Sequence, residues 1–320
     1  MNSSTRRAVL RALAGAAGLG LGPQRAVEAQ VKGQLTAGGI RKLTALRYVS
    51  GSRGGAQTLD LYLPALPSPK VAQAATAARP EGAAPAKGVP LFVFFHGGAW
   101  ISGDKEQYAL LGLSLATQGL AVAIPNYRLA GDGGGRHPAQ VQDAAQVVAW
   151  LRQHAAEHGC ARDRIVVGGH SAGAYLAAML AFAPEFLKAA GEKPEALCGF
   201  VGLEGIYDLQ ELATRFPSYR EDFLQAAFGD PGEGWRRASP QHLAHSVQKP
   251  WLLVHSLEDE LVDVDQSRRF QAALAAKGVP VQYVVTPTGN HFGIVSQLSL
   301  PLSPLAGQVV RFVRAVTEPL

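Results

Sequence analysis

Residues 164–182 read RIVVGGHSAGAYLAAMLAF, and this stretch decides the fold. It begins with a short β-branched run, typical of a buried strand, and ends with an apolar run long enough for a helix. The Gly-x-Ser-x-Gly pattern between them holds a serine on a sharp turn, where side chains at Gly169 and Gly173 would crowd the backbone. The stretch therefore predicts a strand, an exposed nucleophile at Ser171 and a helix at 172–182. A serine that only caps the helix is the alternative.

Short apolar runs alternate with longer helical patterns from Leu91 onward. This alternation is typical of parallel strands joined by crossover helices. Two earlier strands, joined by a turn rich in Gly and Ser, predict an antiparallel hairpin. The predicted strands are 43–49, 58–63, 91–95, 120–124, 165–168, 200–203, 251–255 and 281–285, and the predicted helices are 106–118, 138–158, 172–182, 266–277 and 304–316. The fold class is therefore α/β, with a mostly parallel eight-stranded sheet and helices on both faces.

Residues 36–320 are predicted to form a single domain that departs twice from this alternation. Residues 64–90 are rich in Ala and Pro and almost without large apolar side chains, which predicts a flexible surface insertion. Residues 206–250 are rich in aromatic side chains and partly helical. Because they follow the carboxyl end of a parallel strand, we expect them to form a small helical cap over a pocket.

The basic charge of the chain is concentrated at its N-terminus. The whole chain has 30 Lys and Arg against 25 Asp and Glu, a net charge of +5. Residues 1–29 hold four arginines and one glutamate, so the remainder has 26 against 24 and a net charge of +2. No basic run with interleaved aromatics is left, and we therefore expect no nucleic-acid partner.

Residues 1–29 are predicted to be an export signal. Arg6 and Arg7 precede a weakly apolar stretch at 12–21, and residues 27–29 have the spacing of a cleavage site. The pattern resembles a twin-arginine signal, which implies export to the periplasm. A disordered or organelle-directed N-terminus is the alternative, and without export the protein would be cytoplasmic. The apolar stretch is too short to span a bilayer, and we expect no membrane span in the mature protein.

The two cysteines, Cys160 and Cys198, are too few for a disulfide scaffold and have no metal-ligand spacing. Each precedes a predicted strand. If those strands are parallel neighbours, both thiols lie at one end of the sheet, where either a disulfide or two separate buried thiols would fit.

A second motif, His-Gly-Gly-Ala-Trp at 96–100, follows the first parallel strand. A loop of small residues can direct backbone N–H groups at the oxyanion of an acyl-transfer reaction. We predict Gly98 and Ala99 as donors, with Ala172 after the nucleophile as the third. An ordinary glycine-rich turn is the alternative for the motif alone.

His291 is the predicted general base among nine histidines. It lies in Thr-Gly-Asn-His-Phe-Gly at 288–293, after the last predicted strand. The others lie on a surface helix, in other loops or in the cap, or, as for His170, beside the serine with a side chain expected to point elsewhere. A base here would activate the weakly nucleophilic serine hydroxyl.

The acid that orients His291 is expected in the loop at 256–265, which offers five carboxylates. We predict Asp259, because it lies four residues past the strand and directly before the apolar pair that turns the loop inward. Glu258 and Asp263 are the competitors. The order along the chain is then Ser, Asp, His.

Together these motifs resemble the esterase and lipase branch of the α/β-hydrolases, which contains kynurenine formamidases, prenylcysteine methylesterases and feruloyl-type esterases. The likeness runs from about residue 91 to the C-terminus. It implies a triad of Ser171, Asp259 and His291, an oxyanion hole from the loop at 96–100, and no metal or other cofactor. The sequences at 205–209 and 216–219 look particularly like kynurenine formamidase, but Glu204 stands where a small residue often precedes Gly-Ile-Tyr.

The expected function is hydrolysis of small or aromatic acyl esters through an acyl-enzyme. An arylformamidase with the same triad is the alternative, and a noncatalytic binding protein of the same fold is a third reading. Trp100 in the oxyanion loop and Tyr207 in the cap are predicted to contact the small-molecule substrate. For Tyr207 the alternative is the interior of the cap, the more common fate of such aromatics.

Overall fold

The computed structural model describes residues 34–35, 39–52, 54–65, 88–132, 134–243 and 247–318. The predicted export signal at 1–29 and most of the predicted insertion at 64–90 lie outside these residues. Within the described part, no helix combines the length and apolarity that a membrane crossing requires.

One sheet organises the described residues, with the order β1-β2-β3-β5-β4-β6-β7-β8-β9. The pairs β1–β2, β2–β3 and β3–β5 are antiparallel, and every other pair is parallel. All eight predicted strands are present, and the ninth, β1, is a two-residue edge strand too short to give a sequence pattern. The strands are β1 Gln34–Leu35, β2 Arg41–Arg47, β3 Thr58–Leu63, β4 Val89–Phe95, β5 Ala121–Pro125, β6 Cys160–His170, β7 Leu197–Leu203, β8 Trp251–Ser256 and β9 Val281–Thr286.

The helices of the described residues flank this sheet and form the cap. They are α1 Ala109–Thr117, α2 Ala139–His154, α3 Ala172–Phe182, α4 Glu185–Ala189, α5 Leu209–Arg215, α6 Gln225–Phe228, α7 Glu233–Arg237, α8 Asp265–Ala276, α9 Gly293–Leu298 and α10 Pro304–Thr317. The five predicted helices correspond to α1, α2, α3, α8 and α10, and the predicted bounds of α3 are those observed.

The core lies in two layers, one on each face of the sheet. Alternate residues of β4 point to opposite faces, so Val93 belongs to one layer and Phe94 to the other. Helices α2, α3 and α8 bury apolar side chains in the first layer, and α1, α9 and α10 do so in the second. The short helices α5 and α7 of the predicted cap add their apolar residues to the first layer.

The parallel strands place the polar side chains of the site at one edge of the sheet, and the strands begin at the other edge. His96, Ser171 and Glu204 directly follow β4, β6 and β7 at the carboxyl edge. At the opposite edge β4 begins, where the amide of Val89 donates to the carbonyl oxygen of Gly159 at 2.9 Å.

The two thiols lie on neighbouring parallel strands, as the sequence had suggested they could, and both are free. Cys160 is buried. The Cys198 thiol lies 3.3 Å from the carbonyl oxygen of Asp163.

Candidate active site

Ser171 lies on a strained turn between β6 and α3. Its backbone has φ +55° and ψ −119°, a left-handed region that non-glycine residues rarely adopt. Its amide donates to the carbonyl oxygen of Leu203 at 2.8 Å, which holds the turn against the next strand. The hydroxyl makes no capping bond to the helix, so the alternative of a simple N-cap serine is not what the structure contains.

The glycines around Ser171 permit backbone contacts that no other residue could make. A Cβ atom on Gly173 would lie 2.0 Å from the carbonyl oxygen of Phe95, and one on Gly169 would lie 2.4 Å from the carbonyl carbon of Gly173. Both distances are far below van der Waals contact. The start of α3 therefore packs directly on the end of β4.

The loop after β4 presents its backbone to the same cavity. Gly98, Ala99 and Trp100 all have positive φ, at +125°, +52° and +60°. The carbonyl oxygen of Gly98 accepts from the amides of Ile101 and Ser102 at 3.2 Å and 3.0 Å. A Cβ atom on Gly98 would lie 2.1 Å from the backbone carbonyl oxygen of Ser102, so this turn also requires glycine.

Three amides near Ser171 remain available as donors. Among the described residues, none accepts a hydrogen bond from the amides of Gly98, Ala99 or Ala172. Gly98, Ala99 and Ser171 line one cavity. The loop and the helix start can therefore stabilise negative charge on an oxygen bound there.

His291 is held by Asp259. Its Nδ1 donates to Oδ2 of Asp259 at 2.7 Å, while Oδ1 accepts from the amides of Leu261 and Val262, each at 2.9 Å. Because a carboxylate only accepts, this bond leaves Nε2 as the nitrogen that can take a proton. The imidazole lines the same cavity as Ser171.

The two competing acids have other partners. Oε2 of Glu258 accepts from the amide of Gly289 at 2.8 Å, and Asp263 pairs with Arg215 at 2.7 Å. Of the three carboxylates considered in the loop at 256–265, Asp259 is the one that the structure brings to His291.

Asp259 is ionised although it is buried. Burial alone would raise its pKa, but the charge of His291 and hydrogen bonds from His255 and His291 outweigh burial and hold the pKa well below its usual range. Nε2 of His255 lies 3.2 Å from Oδ2. The carboxylate can therefore stabilise a cationic His291.

His170 and Glu204, two residues that the sequence reasoning had not assigned to the site, complete its surroundings. Nε2 of His170 donates to the carbonyl oxygen of His291 at 2.8 Å and lies 3.3 Å from Oε2 of Glu204. The same Oε2 is 3.4 Å from Nδ1 of His291. Burial, and then the charge of Asp259, raises the pKa of Glu204 to about 10, so it is protonated at neutral pH.

Both residues gave a signal in the sequence. Glu204 is a charged residue directly after a buried strand. His170 is adjacent to the nucleophile, but its expected direction away from the site was wrong. Burial lowers its pKa well below the usual value, with the charge of His291 adding to the effect, so it serves as a neutral donor.

His170, Glu204 and His291 each offer a potential metal ligand, with these atoms within 4.8 Å of one another. Two of the three atoms already bear protons that are hydrogen-bonded. Nε2 of His170 donates to a carbonyl and Nδ1 of His291 donates to Asp259. A metal would have to displace both protons, so the bonding favours a proton network.

The walls of the cavity around Ser171 are mainly apolar, and its volume is about 40 Å³. The apolar side chains that line it are Ile101, Ile206, Tyr219, Phe223, Leu261, Val262 and Phe292. A second cavity, of about 210 Å³, shares Gly98, Ser102 and Phe292 with the first. The site thus has a tight apolar side and a roomier side.

Trp100 and Tyr207, the residues predicted to contact substrate, are not among those that line these two cavities. Both side chains are fully buried. Trp100 packs edge-on against Tyr175 with ring centroids 5.0 Å apart, and Tyr207 stacks on Phe270 at 3.9 Å. Both are core residues because apolar burial dominates their positions; Tyr219 and Phe223 are the cap aromatics that reach the cavity.

The sheet order, the serine elbow and the strand-end acid and base define an α/β-hydrolase fold. A solved structure with the same fold is esterase B from Lactobacillus Rhamnosis, with a TM-score of 0.71 and 19% identity over 98% of this chain and 91% of that one. At this identity the likeness concerns the fold alone.

The profile of the BD-FAE family matches residues 80–274, and the chain belongs to this α/β-hydrolase esterase family. It is 30% identical over 225 residues to a probable isoprenylcysteine alpha-carbonyl methylesterase of Arabidopsis thaliana, covering 65% of this chain and 46% of that protein. It is 32% identical over 249 residues to a kynurenine formamidase of Aspergillus versicolor, covering 63% and 83%. The chain spans about half the length of the first of these relatives.

Proposed function

We propose that this protein hydrolyses carboxylic esters through an acyl-enzyme on Ser171. The observation that carries the proposal is the 2.7 Å bond from His291 to a buried, ionised Asp259, with the imidazole and Ser171 lining one cavity. A serine, a base and an acid in this relation form the general constellation for acyl transfer. Membership of an esterase family supports the same reaction.

In the proposed mechanism the Ser171 oxygen attacks the ester carbonyl while Nε2 of His291 takes the hydroxyl proton. Asp259 stabilises the resulting imidazolium, and the amides of Gly98, Ala99 and Ala172 donate to the oxyanion. His291 then gives its proton to the leaving alkoxide. Water repeats the sequence on the acyl-enzyme and releases the acid, with the proton returned to Ser171.

The two cavities support a small acyl group. The side near Ser171 has a volume of only about 40 Å³ between apolar walls, whereas the adjoining cavity offers about 210 Å³ and the polar side chains of Gln107 and Ser296. We assign the acyl group to the tight side and the alcohol to the roomier side. Activity should therefore fall along a series of p-nitrophenyl acetate, butyrate and decanoate.

An arylformamidase is the second candidate. Its specific support is the kynurenine formamidase relative, which this chain matches over 83% of that protein's length. A formyl group is the smallest acyl group and fits the tight side. Comparing kcat/KM for p-nitrophenyl acetate and N-formylkynurenine separates the two activities.

The first test is substitution of the nucleophile. Ser171→Ala should lower kcat by about 10⁴-fold or more and abolish labelling by a fluorophosphonate probe, without a change in the melting temperature. Ser114→Ala is the matched control, because Ser114 is also a buried serine and its hydroxyl has no partner within the described structure. Full esterase activity in Ser171→Ala would refute the proposal.

A further inference from the structure

Glu204 occupies a position that costs the fold free energy. It directly follows β7, it is completely buried, and its φ of +49° lies in the left-handed region. Its amide donates to the carbonyl oxygen of Val254 at 2.9 Å, which fixes the residue against β8. A buried carboxyl group and a strained backbone are both unfavourable, and such features concentrate at functional sites.

The carboxyl group of Glu204 lies beside the proposed base. Its Oε2 is 3.4 Å from Nδ1 of His291, compared with 2.7 Å for Oδ2 of Asp259. Its Oε1 is buried and has no hydrogen-bond partner within the described part of the chain. One ring nitrogen of His291 is therefore flanked by two acids that come from neighbouring strands.

The two acids differ in charge. Asp259 is ionised, and its negative charge together with burial keeps the proton on Glu204. The other titratable groups of the cluster are His170 at the end of β6 and His255 at the end of β8, both buried. Like charges held this close cannot both ionise freely, so the pair carries one negative charge.

We infer that Glu204 is a reserve acid, a positioning residue that orients His291 when Asp259 cannot. The inference rests on the proposed triad. Burial and the negative charge of Asp259 together keep Glu204 protonated, and removing that charge leaves burial alone, so Glu204 ionises at a lower pH than in the wild type. Glu204 then releases its proton to solvent, and the carboxylate accepts the hydrogen bond from Nδ1 of His291, which keeps Nε2 free to act as the base.

The test compares Asp259→Asn, Glu204→Gln and the double variant by kcat/KM for p-nitrophenyl acetate from pH 6 to pH 10. Asp259→Asn should lose about 10²-fold and the double variant about 10⁴-fold, the loss seen when a triad acid has no substitute. Glu204→Gln alone should lose about threefold, because glutamine keeps the shape of the protonated acid.

The pH profile separates orientation from a structural role. In Asp259→Asn, Glu204 must lose its proton before its negative charge can stabilise the cationic His291, so activity should rise at a more alkaline pH than in the wild type. The double variant should lack this rise. Equal rates for Asp259→Asn and the double variant, or a profile of Asp259→Asn without the alkaline rise, would overturn the inference.

Two controls keep the result interpretable. Thermal melts of every variant check folding, and Asp259→Ser with and without Glu204→Gln repeats the comparison if Asp259→Asn does not fold. Ser171→Ala is measured in parallel. If Ser171→Ala is active, the proposed triad fails; if it is inactive and Glu204 makes no difference in either Asp259 background, only the inference about Glu204 fails.

Discussion

Two regions meet at the cavity, and they are built by different means. The elbow region, residues 96–102, 169 and 171–173, is shaped by positive φ angles and by backbone contacts that only glycine allows. The acid–base cluster, His170, Glu204, Asp259 and His291, is held by buried charge and side-chain hydrogen bonds. The elbow region should therefore be sensitive to added volume, and the acid–base cluster to charge and pH.

The largest effect is expected from Gly173→Ala in the elbow region. The new methyl group would lie 2.0 Å from the carbonyl oxygen of Phe95, an atom of the β4 backbone that cannot rotate away. We expect a loss of about 3 kcal/mol or more in the free energy of unfolding and no measurable turnover. Urea unfolding and kcat/KM for p-nitrophenyl acetate measure both.

Gly234→Ala is the matched control for this substitution. Gly234 is also the second residue of a helix, α7, but nothing lies within 4 Å of its added Cβ. Alanine there should be neutral or stabilise by up to about 1 kcal/mol. Equal behaviour of the two variants would contradict the view that close backbone contact builds the elbow region.

Gly98→Ala should have the next largest effect. Gly98 has a φ of +125°, and an added methyl group would lie 2.1 Å from the backbone carbonyl oxygen of Ser102. It would therefore displace the loop and its donors. Loss of one oxyanion donor lowers kcat by about 10²–10³-fold, and we expect that loss with little change in KM.

Gly278→Ala is the control for Gly98→Ala. It also replaces a glycine of positive φ, +71°, but meets no atom within 4 Å. It should cost about 1–2 kcal/mol of stability with full kcat. A wild-type kcat in Gly98→Ala would show that the 98–102 turn is not needed for the reaction.

The smallest effect is expected in the acid–base cluster, and it is a pH dependence of stability. The pKa of Glu204 is about 10 in the folded protein, against about 4.3 for an unfolded glutamate. The folded state therefore binds more protons between these values, so the free-energy cost of burying Glu204 is smallest below about pH 4 and grows as the pH rises. Wild type should lose about 1.4 kcal/mol per pH unit relative to Glu204→Gln between pH 6 and pH 8.

Urea unfolding of both proteins at pH 6, 7 and 8 measures this slope. Glu185→Gln, at the exposed start of α4, is the control for replacing a glutamate by a glutamine. Parallel stability curves for wild type and Glu204→Gln would mean that Glu204 is already ionised at neutral pH.

The same contrast explains what the sequence could predict. The elbow region is local: the pattern around Ser171 and the motif at 96–100 are contiguous, and the bounds of α3 follow from its apolar run. The acid–base cluster depends on which strands are neighbours. Glu204 meets His291 because β7 lies between β6 and β8, and no local pattern contains that order.

The packing of Trp100 and Tyr207 could not be predicted from the sequence for a related reason. Both lie in motifs next to the site, but the direction of a side chain depends on backbone angles that the motif does not state. The positive φ of Trp100 turns its indole into the core. Asp259 was distinguishable from its neighbours because the apolar residues after it fold inward.

The separation of the two sheet edges also bears on how the protein can be attached to a surface. Strand β3 ends and strand β4 begins at the sheet edge opposite Ser171, and β4 is seven residues long. At about 3.3 Å per residue, roughly 20 Å separate that edge from the cavity. A tether to a bead or an electrode, attached where β3 ends or where β4 begins, would leave the mouth of the cavity facing the solution and substrate access unhindered.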